Sequence, residues 1–109
     1  MEQSQDELSN CSAKEPLALQ VLGDSMEPEF PDGCIIVLEP SDQCMHGMYI
    51  MAMVEGVRWF RQYLNDEDGE RLLALNDLYP VIFLEGLDWK AEAIVMQRNI
   101  KREVKHYDY

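Results

Sequence analysis

The stretch "MYIMAMVEGVRWFRQYL", Met48 to Leu64, decides the fold. Two runs rich in apolar, β-branched and aromatic residues flank Glu55-Gly56, a dipeptide suited to a tight turn, so the segment reads as an antiparallel hairpin. Alternation along the second run puts Arg58, Phe60, Gln62 and Leu64 on one face. Val57, Trp59, Arg61 and Tyr63 take the other. Neither face is wholly apolar. Arg61 stands between two aromatics, where its stem can pack while its guanidinium reaches a neighbouring carboxylate or turn.

Outward from this hairpin the texture repeats. "LALQVL", "CIIVLEP", "RLLAL", "VIFLEG" and "AEAIVMQR" are short apolar or alternating runs. They are punctuated by Gly23-Asp24, Pro31-Asp32-Gly33, Pro40-Ser41-Asp42, His46-Gly47 and the loop Asn65 to Gly69, which closes a second hairpin. Strands of this length at this spacing predict one small, mostly β domain, a barrel or rolled sheet, with helix limited to a turn near the C-terminus. The expected layout is a mobile acidic leader over 1–16, the domain over 17–98 and a charged tail over 99–109. Arg98, Lys101, Arg102 and Lys105 cluster at that end, as a local basic patch or as a solvated extension.

Composition sets further bounds. The chain has 109 residues, enough for a single modest core. Its 9 basic and 21 acidic residues leave a net charge of −12, a field that repels phosphate backbones and argues against direct nucleic-acid binding by this domain. No apolar run approaches the roughly 20 residues of a membrane span, and no secretory signal is evident. With Cys11, Cys34 and Cys44 as its cysteines, reduced thiols and a cytoplasmic location are expected. Cys34, Cys44 and His46 match no zinc-ligand spacing, so neither metal nor cofactor is expected. Cys34 reads instead as a small buried hydrophobe, and the methionines as core.

A second stretch bears on chemistry. "VLGDSMEPEFPDGC", Val21 to Cys34, sets Ser25 in a Gly-Asp-Ser-Met turn. A serine hydroxyl is a weak nucleophile unless a base lies within hydrogen-bond reach. His46 falls in a turn and His106 in the tail, neither with an orienting partner in sight. A serine in such a bend also has a purely structural use, bonding nearby backbone.

"GDSMEPEFPDG", followed by "IIVLEP", "GMYIMAMVEG", "WFRQY", "LALNDLYPVI" and "AEAIVMQ", resembles the LexA/UmuD-type serine peptidase family, the self-cleaving domain of SOS and phage repressors, over Leu17 to Arg98. The resemblance implies a LexA- and signal-peptidase-like rolled sheet, a β-clip-type barrel. It makes Ser25 the nucleophile position and Met26 its neighbour. The family's general base is a lysine on a later strand; here Arg61 falls on that position, Arg58 aligns less well, and no lysine occurs between Lys14 and Lys90. Guanidinium stays protonated and has no lone pair to offer, so it donates but does not abstract the serine proton. Arg61 has an alternative reading, as a strand residue ion-paired to Asp24, Glu27 or Glu29. Other departures are the absence of an Ala-Gly or Cys-Gly cleavage dipeptide, Cys34 after Asp-Gly, and Met48 after the turn glycine. "LNDLYPVI" reads as a cleft wall, or as a turn held by Asn76, Asp77 and Pro80 with Tyr79 packed beneath.

The expected function is therefore a regulatory or interaction module of SOS or repressor type with weak or absent self-cleavage. The alternative is an active serine peptidase with another base, such as Lys90 or Lys101. By resemblance the expected partners are a second copy in a homodimer, and a protein such as a DNA-binding subunit or a translesion polymerase, with no membrane contact.

Overall fold

The computed structural model describes residues 15–109. The leader expected over 1–16 therefore lies outside the described residues except for Glu15 and Pro16. The described chain is all β, with strands β1 (Leu17–Gln20), β2 (Ile35–Pro40), β3 (Tyr49–Val54), β4 (Val57–Asp66), β5 (Gly69–Leu73), β6 (Ile82–Phe83), β7 (Trp89–Ile100) and β8 (Glu103–His106). Among the described residues no helix is long and apolar enough to cross a membrane.

The strands form one antiparallel sheet in the order β1-β2-β7-β3-β4-β5-β6, with β8 added onto β7. The Met48–Leu64 hairpin forms as its sequence requires. Val54 pairs with Val57, and Glu55 and Gly56 take positive φ of 49° and 83°, the left-handed pair of a two-residue turn whose twist matches the flanking strands.

β3 reads as continuously apolar because both its faces are covered. Ile50, Ala52 and Val54 enter one buried cluster with Met48, Tyr63, Leu72, Leu84 and Ala91. Tyr49 and Met51 pack against a second cluster built from Val21, Met26, Phe30, Cys34, Ile36, Leu38, Ala93 and Val95. A sheet covers both faces without helices only by rolling. The long strand β7 carries the bend: its register slips by one residue opposite Val37/Leu38 and again opposite Met51/Ala52. Each slip leaves an extra residue, Met96 and Glu92 respectively, and such bulges bend a strand and re-aim its side chains. The roll is visible in the lining of one groove, which takes residues from β1 and from β4 although three strands separate them.

The C-terminal segment differs from expectation. Residues 99–109 are not a solvated tail: β7 runs on to Ile100, Lys101 turns the chain at φ 54°, and β8 returns antiparallel along β7. Tyr107 packs on Phe30 and Tyr49, and the Tyr109 hydroxyl donates to Val95 O at 2.7 Å. The two tyrosines supply the buried area that a reading of the charges alone leaves out, so the folded unit extends past residue 98.

Candidate active site

Ser25 lies in the loop between β1 and β2, which closes on itself. Val21 N donates to Cys34 O at 2.8 Å and Gly33 N to Val21 O at 2.7 Å. Inside this clasp, Gly23 at φ 96° donates its N–H to Asp32 Oδ1, so the Asp-Gly turn that ends the motif also holds the Gly-Asp-Ser turn that begins it. A helical twist follows, with Glu27 N on Asp24 O and Phe30 N on Met26 O. Met26 and Phe30 are fully buried. Met26 thus sits beside Ser25 in sequence as a core anchor that fixes the turn.

A second loop braces the serine from the other side. Asn76 N donates to Ser25 O at 3.0 Å, and Asn76 Nδ2 donates to Asp24 O at 3.1 Å. Asn76 Oδ1 also accepts from Leu78 N, an Asx-type turn that makes "LNDLYP" self-supporting. Tyr79 is not packed beneath this turn: it is 37% exposed, its hydroxyl donates to Asp24 Oδ1, and its ring lies 5.9 Å from the Arg61 guanidinium carbon.

Arg61 meets Ser25. Its Nη1 donates to Ser25 Oγ at 3.2 Å and to Phe60 O at 2.8 Å, while its guanidinium lies 5.0 Å over the Trp59 ring. Burial lowers its pKa from the ordinary arginine value. The acidic partners expected for it are engaged elsewhere. Asp24 bonds Tyr79, Glu27 accepts from Asp32 N, and Glu29 pairs with Arg98 and Lys105. Arg58 is exposed and pairs with Glu92 at 2.6 Å, on the bulge of β7.

Ser25 and Arg61 open on a groove of about 390 Å³ that Leu19, Ile36, Met51, Trp59 and Phe60 make mainly apolar. A neighbouring hollow of about 370 Å³ shares Leu19, Met51 and Arg58 with it, extending the trough along β1 towards Leu17 and Ala93. Leu22, at 81% exposure, stands at the mouth. The candidate alternative bases are not brought here. Lys90, on β7, pairs with Met53 on β3, and Lys101 forms the β7–β8 turn, and neither lines the groove. His46 accepts a hydrogen bond from Asn65 N. Cys34 and Cys44 belong to different core clusters, so with His46 they do not form a common ligand set.

One network has no counterpart in the sequence reading. The Glu29 carboxylate accepts from Lys105 Nζ and Tyr107 OH, both at 2.6 Å, and lies 3.2 Å from Arg98 Nη1, which also donates to Glu29 O. Its partners lie 69 to 78 residues away along the chain, so no local signal could have found it. The bracing by Asn76 was closer to legible, since Asn-Asp before an aromatic marks a turn.

The Peptidase S24-like family model matches residues 4–96. No curated protein matches the chain.

Proposed function

Since the chain belongs to the Peptidase S24-like family, as its LexA/UmuD-type motifs imply, we propose that it is a binding and regulatory module that keeps the nucleophile turn but not the general base. The observation that carries this reading is Arg61 Nη1 at 3.2 Å from Ser25 Oγ. The group in contact with the hydroxyl is a donor, and activation of a serine requires an acceptor. Burial lowers the affinity of Arg61 for its proton, yet guanidinium starts so high that it stays charged throughout the physiological range. Such a site holds a peptide without cutting it. The module then acts through what it binds, in repressor- or SOS-type regulation, alone or as a homodimer.

The test compares the natural protein with Arg61→Lys on an Ala-Gly peptide at mildly alkaline pH, where a buried lysine can deprotonate. No cleavage by the natural protein, and a gain of Ser25-dependent cleavage by Arg61→Lys, are expected. Cleavage by the natural protein that Ser25→Ala abolishes would overturn the reading.

A further inference from the structure

Among the described residues the guanidinium beside Ser25 has no counter-charge. Arg58, Arg71 and Arg98 each pair with a carboxylate. Arg61 is only 7% exposed, and among the described residues it has no acidic partner. Its Nε is buried without a hydrogen-bond partner. In a chain with 21 acidic residues, a partner would be easy to supply. A buried, unneutralised charge is strongly unfavourable, and the rings of Trp59 and Tyr79 offset it only in part.

Arg58 and Glu92 also line the trough but neutralise each other as an ion pair. Apart from that pair, this charge and the serine hydroxyl open on a mainly apolar surface. The complementary ligand has an apolar body and a single anionic end. A phosphoryl group brings close to two negative charges to one guanidinium, inside a protein whose net charge is already −12. A carboxylate brings one, in a plane that suits guanidinium. β1 forms the edge of the sheet, bonded only to β2, and contributes Leu19 and Gln20 to the groove, with Val21 following just past its end. An extended chain alongside it gains main-chain hydrogen bonds that a free fatty acid lacks. A nucleophile position also faces a main-chain carbonyl carbon, so the anion that meets Ser25 is a main-chain one.

We infer that the groove binds the C-terminal end of an extended apolar peptide, with its free α-carboxylate seated against the Ser25 hydroxyl and the Arg61 guanidinium. The Ser25 oxygen accepts from Arg61 and its proton turns to the carboxylate. This inference rests on the reading of Ser25 as a nucleophile position without a base, and it adds a ligand class to it.

Fluorescence anisotropy on the full chain tests it with three labelled pentapeptides of leucine, valine and alanine. One ends in a free carboxylate, one in an amide, and one in an amide with a glutamate side chain at its last position. The free acid is expected to bind at least about tenfold more tightly than either amide, the scale of one charged hydrogen bond. Arg61→Met should bind acid and amide equally. Equal binding of acid and amide by the natural protein overturns the inference, as does glutamate-amide binding that matches the free acid, or no binding of any peptide. These outcomes need no variant, so a misfolded Arg61→Met would not blur them. Cleavage of an internal Ala-Gly bond by the natural protein is a separate readout, and it would remove the parent reading whatever the acid-to-amide ratio.

Discussion

Arg61 is held where charge is costly, and stability should register it. Burying an ion without a counter-ion costs several kcal/mol. Against this stand contacts with the Trp59 and Tyr79 rings, worth about 1 kcal/mol each, and hydrogen bonds to Ser25 Oγ and Phe60 O, worth about 1 kcal/mol each. Arg61→Met keeps the length of the side chain and removes the charge, so a net gain of about 1 kcal/mol is expected. In a domain of this size that raises Tm by about 4–8 °C. A fall in Tm on thermal unfolding would mean that the charge is neutralised inside the protein, and the case for an anionic ligand would weaken with it. Ser25→Ala should be nearly neutral, within about 1 kcal/mol, because Arg61 Nη1 keeps its bond to Phe60 O. At this scale the resemblance to the family pointed to the residue that meets the serine, since it puts Arg61 at the position of the base. The sequence was uninformative about the partners of Arg61, because nearby acids in sequence are claimed by Tyr79, Arg98 and Lys105 in space.

The β3–β4 hairpin supplies Met51 and residues 58–61 to the groove, and the β8 latch ties down the loop that carries Ser25. Gly56 sits at φ 83°, and a Cβ added there meets nothing within 4 Å. Gly56→Ala therefore costs backbone strain alone, about 1 kcal/mol, measurable by urea denaturation. A much larger loss would point to crowding that the geometry does not contain. The latch joins β8 to the residues just after Ser25 through Glu29. Burial raises the Glu29 pKa, but hydrogen bonds from Lys105 and Tyr107 and the charges of Lys105 and Arg98 outweigh it, so the carboxyl titrates below its usual value of 4.5. A depressed folded pKa gives stability that is present above the unfolded value and lost as pH falls through the folded one. Glu29→Gln should thus cost about 1 kcal/mol at neutral pH, discounted for partial exposure, and should flatten the stability curve below about pH 4.5. An unchanged acid limb, read by tyrosine fluorescence, would mean that Glu29 does not hold the hairpin. Strand positions and turns were legible here because period-two alternation and Gly-containing turns are local. The latch was not, because a lysine and a tyrosine near the C-terminus look like a solvated tail until the sheet brings them to Glu29.

At the scale of the molecule, the sequence specified an all-β rolled domain but not the order of its strands. β7 inserts between β2 and β3, and that choice rests on pairings between residues some sixty apart such as Ile35 with Asn99, together with two bulges that no single-residue propensity announces. The insertion sets Tyr107, just past β8, against the core, with Tyr109 stacked beside it, and the phenols of these two and of Tyr63 set the upper pH limit of the fold. Burial pushes Tyr63, Tyr107 and Tyr109 above the usual phenol value, helped by the Glu70 carboxylate for Tyr63 and the Glu29 carboxylate for Tyr107, and Tyr109 reaches about 12. A raised folded pKa means the stability is complete below the unfolded value, about pH 10, and is lost as pH rises through the folded one. The net charge of −12 adds self-repulsion that each new phenolate increases. Tm should therefore hold steady to about pH 9–10 and fall steeply beyond it, more so at low salt. Tyr109→Phe removes the bond to Val95 O, so it should lower Tm at neutral pH while making the alkaline limb shallower. Parallel limbs for the natural protein and this variant would count against the phenols as the cause. The mildly alkaline window in which a lysine at position 61 would act as a base lies below this limit, so absence of cleavage by the natural protein there reads out chemistry and not unfolding.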